Sequence, residues 1–174
     1  MPYRSPYEAY PFLSEPAEDL RCDFEIATDR LASLIGALSA LCPEYQDSLM
    51  AQETLVYHAN AGARTDCSLT DDEIAQLADT CRALRQATAA RCRRFVLPRG
   101  SLRVSISHLA RADCKAIVRL LYRLTETGVR VDTRLIDYFS LLSEFFFRLA
   151  LQLNEKDGVA EVVFNSRNYP AKRS

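Results

Sequence analysis

Breakers of regular structure are scarce in this chain and unevenly placed, and their positions set the longest pieces it can form. Of seven prolines, four (Pro2, Pro6, Pro11 and Pro16) fall in the first 16 residues, and the five glycines stand isolated. Proline at that density prevents a helix in the opening segment. The remainder has few interruptions and favours long helices.

Between the breakers the apolar residues recur at three and four. A first helix is expected from about Asp19 to Leu41, on Phe24, Ala27, Leu31, Leu34, Ile35 and Leu38. Cys42-Pro43 breaks it, because the residue before a proline avoids helical geometry. A weaker second helix covers about Pro43 to Asn60. Thr70-Asp71-Asp72-Glu73 reads as a capping box opening a third helix that runs to about Arg94. The fourth runs from about Ser101 to Thr127, with Gly128 as its C′ residue. The fifth opens on Asp132 and is apolar nearly all round through Phe145-Phe146-Phe147, so it is central or lies at an oligomer interface. Val159 to Phe164 fits either a short strand or an extended tail. The expectation is an all-α, five-helix bundle over 19–165, with a Pro/Tyr-rich arm over 1–18 and a polar tail over 166–174. Tyr3, Tyr7, Tyr10 and Phe12 imply that the arm lies on an apolar surface of its own bundle or of a neighbouring subunit.

Composition excludes several function classes. A net charge of −1 argues against a nucleic-acid binder, and no apolar run reaches membrane-span length. The basic run Arg91-Cys92-Arg93-Arg94 reads as the solvated end of the third helix, its cations facing the C-terminal dipole. Six irregularly spaced cysteines without a C-x-x-C pair read as free thiols of a cytoplasmic protein. No Gly-rich phosphate loop or nucleophilic triad is present. His58 and Cys67 do not make four convergent ligands, so no metal site is assigned. On the fourth helix His108, Arg111, Lys115 and Tyr122 share one side, which periodicity alone reads as a solvated cationic face. Asp29, in an otherwise apolar stretch, could pair with one of those cations.

The segment FVLPRGSLRVSISHLARADCK, Phe95 to Lys115, resembles the signature of ATP:corrinoid adenosyltransferases of the propanediol- and ethanolamine-utilisation type. That signature is F-[IV]-L-P-x-G-G followed by an H-x-x-R-A-x-C-R-R-A-E-R helix. Phe95, Leu97, Pro98, Gly100, His108, Arg111, Ala112, Cys114 and Arg119 fall in register. Tyr138 to Ala150 resembles the family's next helix, Gly158-Val159-Ala160-Glu161-Val162-Val163-Phe164 its closing motif, and Thr28-Asp29-Arg30-Leu31 with Ile35-Gly36 its first.

The resemblance implies a homotrimer with sites between subunits and transfer of the 5′-deoxyadenosyl group of ATP to cob(I)alamin, the substrate. Mg stays open as an accompanying ion, and a cobalamin-dependent enzyme stays open as acceptor. Phe95 would wedge against the lower corrinoid face and favour four-coordinate Co(II). Asp29 and Arg111 would pair to position the corrinoid pocket, with His108 beside them. Lys115, Arg119, Ser140 and Glu144 would lie on the nucleotide side. The family's N-terminal T-K-T-G-D-x-G-x-T phosphate loop is missing, its place taken by the arm. Ala116, Val118 and Leu141 replace polar family residues. Two alternatives to catalysis stay open: a corrinoid-binding member for storage, delivery or regulation, and a scaffold with neither ligand.

Overall fold

The computed structural model describes residues 3–10 and 12–168. Pro2 and Pro11 of the arm, and the tail beyond Asn168, lie outside the described residues. Five helices form: α1 (Arg21–Leu41), α2 (Gln46–Asn60), α3 (Asp71–Ala87), α4 (Leu102–Glu126) and α5 (Thr133–Lys156). Their neighbour order is α3, α5, α4, α1, α2, so α4 and α5 sit at the centre. Among the described residues there is no strand, only an isolated antiparallel bridge between Val96 and Val163. No single helix is long and apolar enough to cross a membrane.

The helix ends follow from local chemistry. Glu73 N–H donates to Thr70 Oγ1 at 3.2 Å, and Thr70 N–H to Glu73 Oε2 at 2.8 Å, completing the capping box. Asp132 caps α5 by accepting from Arg134 N–H at 2.9 Å. Gly128, at φ +85°, takes the left-handed geometry that ends α4. One expected end differs. The third helix stops at Ala87 instead of running to Arg94, and a short 3-10 turn, Ala89–Arg91, follows. The Arg91–Arg94 run therefore lies in the connector between α3 and α4 and does not end α3.

The core is aliphatic and aromatic, with Phe24, Tyr138, Phe139 and Phe146 fully buried. Phe24 and Phe139 meet edge to face at 6.1 Å between centroids, joining α1 to α5. Burying each such side chain contributes roughly 1.5–3 kcal/mol. Two serines fix the register of α4 on α5: Ser107 Oγ donates to Phe146 C=O at 2.8 Å, and Ser143 Oγ to Arg111 C=O at 3.3 Å. All six cysteines are unpaired.

The arm divides. Arg64 stands over the Phe12 ring at 3.7 Å, grips Glu15 at 3.0 and 2.6 Å, and reaches Glu25 of α1 at 2.6 Å. Burial and the neighbouring Glu25 push the Tyr10 hydroxyl up to about 12. Tyr3 and Tyr7 are exposed. Tyr10 and Phe12 pack edge to face on each other at 5.4 Å between centroids, and what they meet on the chain's own bundle is Arg64 and Glu25 rather than an apolar surface.

Gly100 is the tightest joint. Its φ is +154°, and a Cβ there would lie 2.2 Å from Asn154 Oδ1 and 2.7 Å from Val104 Cγ1. Gly100→Ala is expected to lower stability by about 2–4 kcal/mol, measured by urea unfolding. A midpoint equal to the parent's would show that this junction can relax.

Candidate functional site

The connector between α3 and α4 builds one wall of a cleft because the extended segment after α5, Val159 to Phe164, holds it in place. Arg91 Nη2 and Nε donate to Glu161 Oε1 at 3.1 and 3.3 Å, and Nη2 also donates to Val159 C=O. Asn154 Nδ2, from α5, donates to Arg99 C=O at 2.9 Å and to both Glu161 oxygens at 3.3 and 3.2 Å. Leu97 N–H donates to Val162 C=O, and Phe164 N–H to Phe95 C=O, each at 2.8 Å. The backbone of Phe95 is thus fixed on both sides while its ring stands 85% exposed.

Behind that ring, α4 and α5 line a cleft of about 590 Å³, within the range of small-molecule sites. Five of the residues singled out in the sequence meet on its wall: Phe95, Arg111, Lys115, Ser140 and Glu144. Phe147 supplies an aromatic face, with the guanidiniums of Arg111 and Arg148 at 5.6 and 5.4 Å from its centroid. Arg111 Nε is buried without a hydrogen-bond partner, and burial pulls the guanidinium below its usual range. Glu144 is already engaged. Arg85 forks its carboxylate at 2.9 and 2.6 Å, Arg148 adds a contact at 3.3 Å, and hydrogen bonding from Arg85 is the main cause of its lowered pKa.

Three singled-out residues lie elsewhere. Arg119 is exposed and does not line the cleft. Asp29 is exposed on the outer side of α1, accepts from Tyr57 O–H at 2.9 Å, and lines a separate cavity of about 390 Å³ with Tyr10, Glu25 and Asn60. The expected Asp29–Arg111 ion pair is therefore not formed within the chain. Its neighbour Arg30 crosses to α4 instead, meeting Asp113 at 3.0 Å, because one residue along a helix turns the side chain through about 100°. His108 also departs from expectation. It is 6% exposed, beside Phe147 at 6.4 Å between centroids, and neither ring nitrogen has a partner. The solvated cationic face begins only at Lys115, since His108 and Arg111 lie against Phe147 of α5.

Among the described residues no three His, Cys, Asp or Glu side chains converge as metal ligands. The sequence reading missed Arg85 and Arg148 as partners of Glu144, and the Arg91–Glu161 contact. Arg148 lies four residues after Glu144 and was legible as a helical pair; Arg85, on another helix, carried no local signal.

A pattern describing the family "Cobalamin adenosyltransferase" matches residues 16–153. A curated corrinoid adenosyltransferase of Bacillus subtilis (strain 168) is 28% identical over 170 residues, covering 87% of this chain and 86% of its own. Two solved structures are of a PduO-type ATP:corrinoid adenosyltransferase from Lactobacillus reuteri. An arginine-to-lysine variant complexed with ATP superposes with a TM-score of 0.77 at 19% identity, covering 84% of this chain and 88% of its own. A phenylalanine-to-alanine variant complexed with cobalamin and ATP gives 0.76 at 18%, covering 85% and 87%. At such identities the likeness is one of fold.

The buried imidazole has a consequence for pH. Burial first, then the nearby Arg111 charge, lowers the His108 pKa from 6.5 to about 4. The unfolded chain then binds the extra proton first, so the stability that neutral His108 contributes is present above about 6.5 and lost as pH falls toward about 4. His108→Leu should lose less stability than the parent between pH 7 and pH 5 in urea titrations. Parallel losses in both would exclude His108 as the titrating group.

Proposed function

The chain belongs to the cobalamin adenosyltransferase family, and from that premise we propose that it transfers the 5′-deoxyadenosyl group of ATP to cob(I)alamin. The observation that carries this reading is the juxtaposition of an exposed aromatic ring, Phe95, with a cation-lined cleft containing Arg111 and Lys115. A flat apolar face at the rim suits a corrinoid macrocycle, and the cleft behind it suits the anionic portion of a nucleotide.

In this reading the lower corrinoid face rests on Phe95. Water and the dimethylbenzimidazole are excluded from the axial position, leaving four-coordinate Co(II). Without an axial donor the accepting orbital is lower, so an external one-electron reductant reaches Co(I) more easily. Co(I) then attacks C5′ of ATP. The Co–C bond forms as the C5′–O bond breaks, and triphosphate leaves with the bonding pair. Lys115, a point charge rather than a planar fork, would face the phosphates with Ser140 nearby. Glu144 is committed to Arg85 and Arg148, so a Mg ion arriving with ATP would be held chiefly by phosphates and water.

The exposed Asp29 and the Arg111 that lacks a carboxylate partner both suit pairing across a subunit boundary in a homotrimer. The alternative, a corrinoid carrier without transfer activity, is favoured by one observation. Val118 and Leu141 pack against the core, so these two positions, polar in the resembled signature, supply nothing to a nucleotide.

Supplying Co(I) corrinoid and ATP should produce a Co–C bond, followed by absorbance, with stoichiometric triphosphate. Corrinoid binding without that bond leaves the carrier reading. Phe95→Ala should retain the helical fold yet weaken the four-coordinate Co(II) signal in electron paramagnetic resonance; an unchanged spectrum removes the wedge. Asp29→Asn and Arg111→Ala should each weaken corrinoid binding and combine less than additively, whereas full additivity would mean that the two side chains never meet.

A further inference from the structure

We propose that Arg93 and Arg94 form an oligophosphate grip at the mouth of the cleft, a role that nothing in the signature motifs assigns to this connector. Within the proposed reaction, on which this inference rests for the identity of its ligand, they would hold the triphosphate of ATP and of the leaving group.

The basic run divides by contact. Arg91 has a structural partner in Glu161. Arg93 and Arg94 are exposed, line the cleft, and make no ion pair or hydrogen bond among the described residues. Arg111 and Lys115 line the same cleft without a carboxylate partner. The carboxylate on that wall, Glu144, is satisfied by Arg85 and Arg148. Four unopposed cations drawn from two elements therefore face one space of about 590 Å³. Such convergence is unfavourable in the empty protein and turns favourable when an anion enters. A single phosphate would reach one or two of these groups; a chain of phosphates can span the set.

Two further observations support the placement. First, the described part of the arm offers no phosphate-binding group of its own. The first 18 residues hold no lysine, no glycine and a single arginine, Arg4, which pairs with Glu8 at 3.1 Å. Second, the connector is fastened immediately before the pair, by Arg91 on Glu161, and immediately after it, by the Phe95 and Leu97 backbone bonds to the tail. The two guanidiniums are thus presented from an ordered backbone, which lowers the cost of ordering on binding, and their planar forks match phosphate oxygens.

The test is calorimetric titration of the full chain with inorganic tripolyphosphate and, separately, with inorganic phosphate. The parent should bind tripolyphosphate at least tenfold more tightly than phosphate, with affinity falling as salt rises. Arg93→Ala/Arg94→Ala should lose about tenfold or more in tripolyphosphate affinity, and Arg93→Lys/Arg94→Lys should recover part of it. Arg130→Ala removes the same charge outside the cleft and should change affinity by less than about twofold. No tripolyphosphate binding by the parent, an undiminished affinity in the double alanine variant, or an equal loss in Arg130→Ala would each overturn the proposal. The catalytic reading is judged separately by Co–C bond formation. A chain that grips tripolyphosphate through the pair but forms no such bond retains this inference and loses that reading; a chain that forms the bond with both arginines dispensable does the reverse.

Discussion

The Glu161 carboxylate is the joint on which the candidate site depends. Its side chain is 8% exposed and is held by Arg91 from the connector and Asn154 from α5. A carboxylate brought so far from water needs such partners: removing Arg91 leaves an uncompensated charge, and removing Asn154 leaves its oxygens short of a donor. The contact also decides topology. Through it the tail after α5 returns to the connector before α4, and the bridge between Val96 and Val163 can form. Without that return, Phe95 would sit on a loop tied to nothing, and the cleft would lack its outer wall.

The five helices were legible because their punctuation is local. Pro43, the Thr70–Glu73 box, Gly128 and Asp132 each act through their own neighbours, and each acts as the sequence suggests. The end of α3 was not legible. Thr88-Ala89-Ala90 contains no strong breaker, yet the α-helix stops at Ala87 and a 3-10 turn leads to Arg91, whose partner Glu161 lies 70 residues distant. Tertiary demand overrode propensity there.

Site residues divide in the same way. Motif register brought Phe95, Arg111, Lys115, Ser140 and Glu144 to one wall, since their spacing on α4, α5 and the connector is a property of the sequence itself. Burial was not visible in the same register. His108 and Lys115 share a helical face on paper, but Phe147 of α5 lies against only the first of them. Asp29 looked like a buried acid in need of a cation, yet it faces outward and is met by a tyrosine 28 residues on. Spacing tells which side chains point the same way; only packing tells what lies in front of them.

Phe95 also has a thermodynamic aspect. A ring kept in water by a fixed backbone holds its hydrophobic free energy in reserve until something apolar covers it. For a phenylalanine that reserve is about 1.5–3 kcal/mol, released at the moment of docking rather than during folding. Docking of a flat apolar surface should therefore carry a negative heat-capacity change, the mark of dehydrated apolar area. Phe24, Phe139 and Phe146 spend theirs on folding, and in the proposed reaction Phe95 would spend its own on the corrinoid.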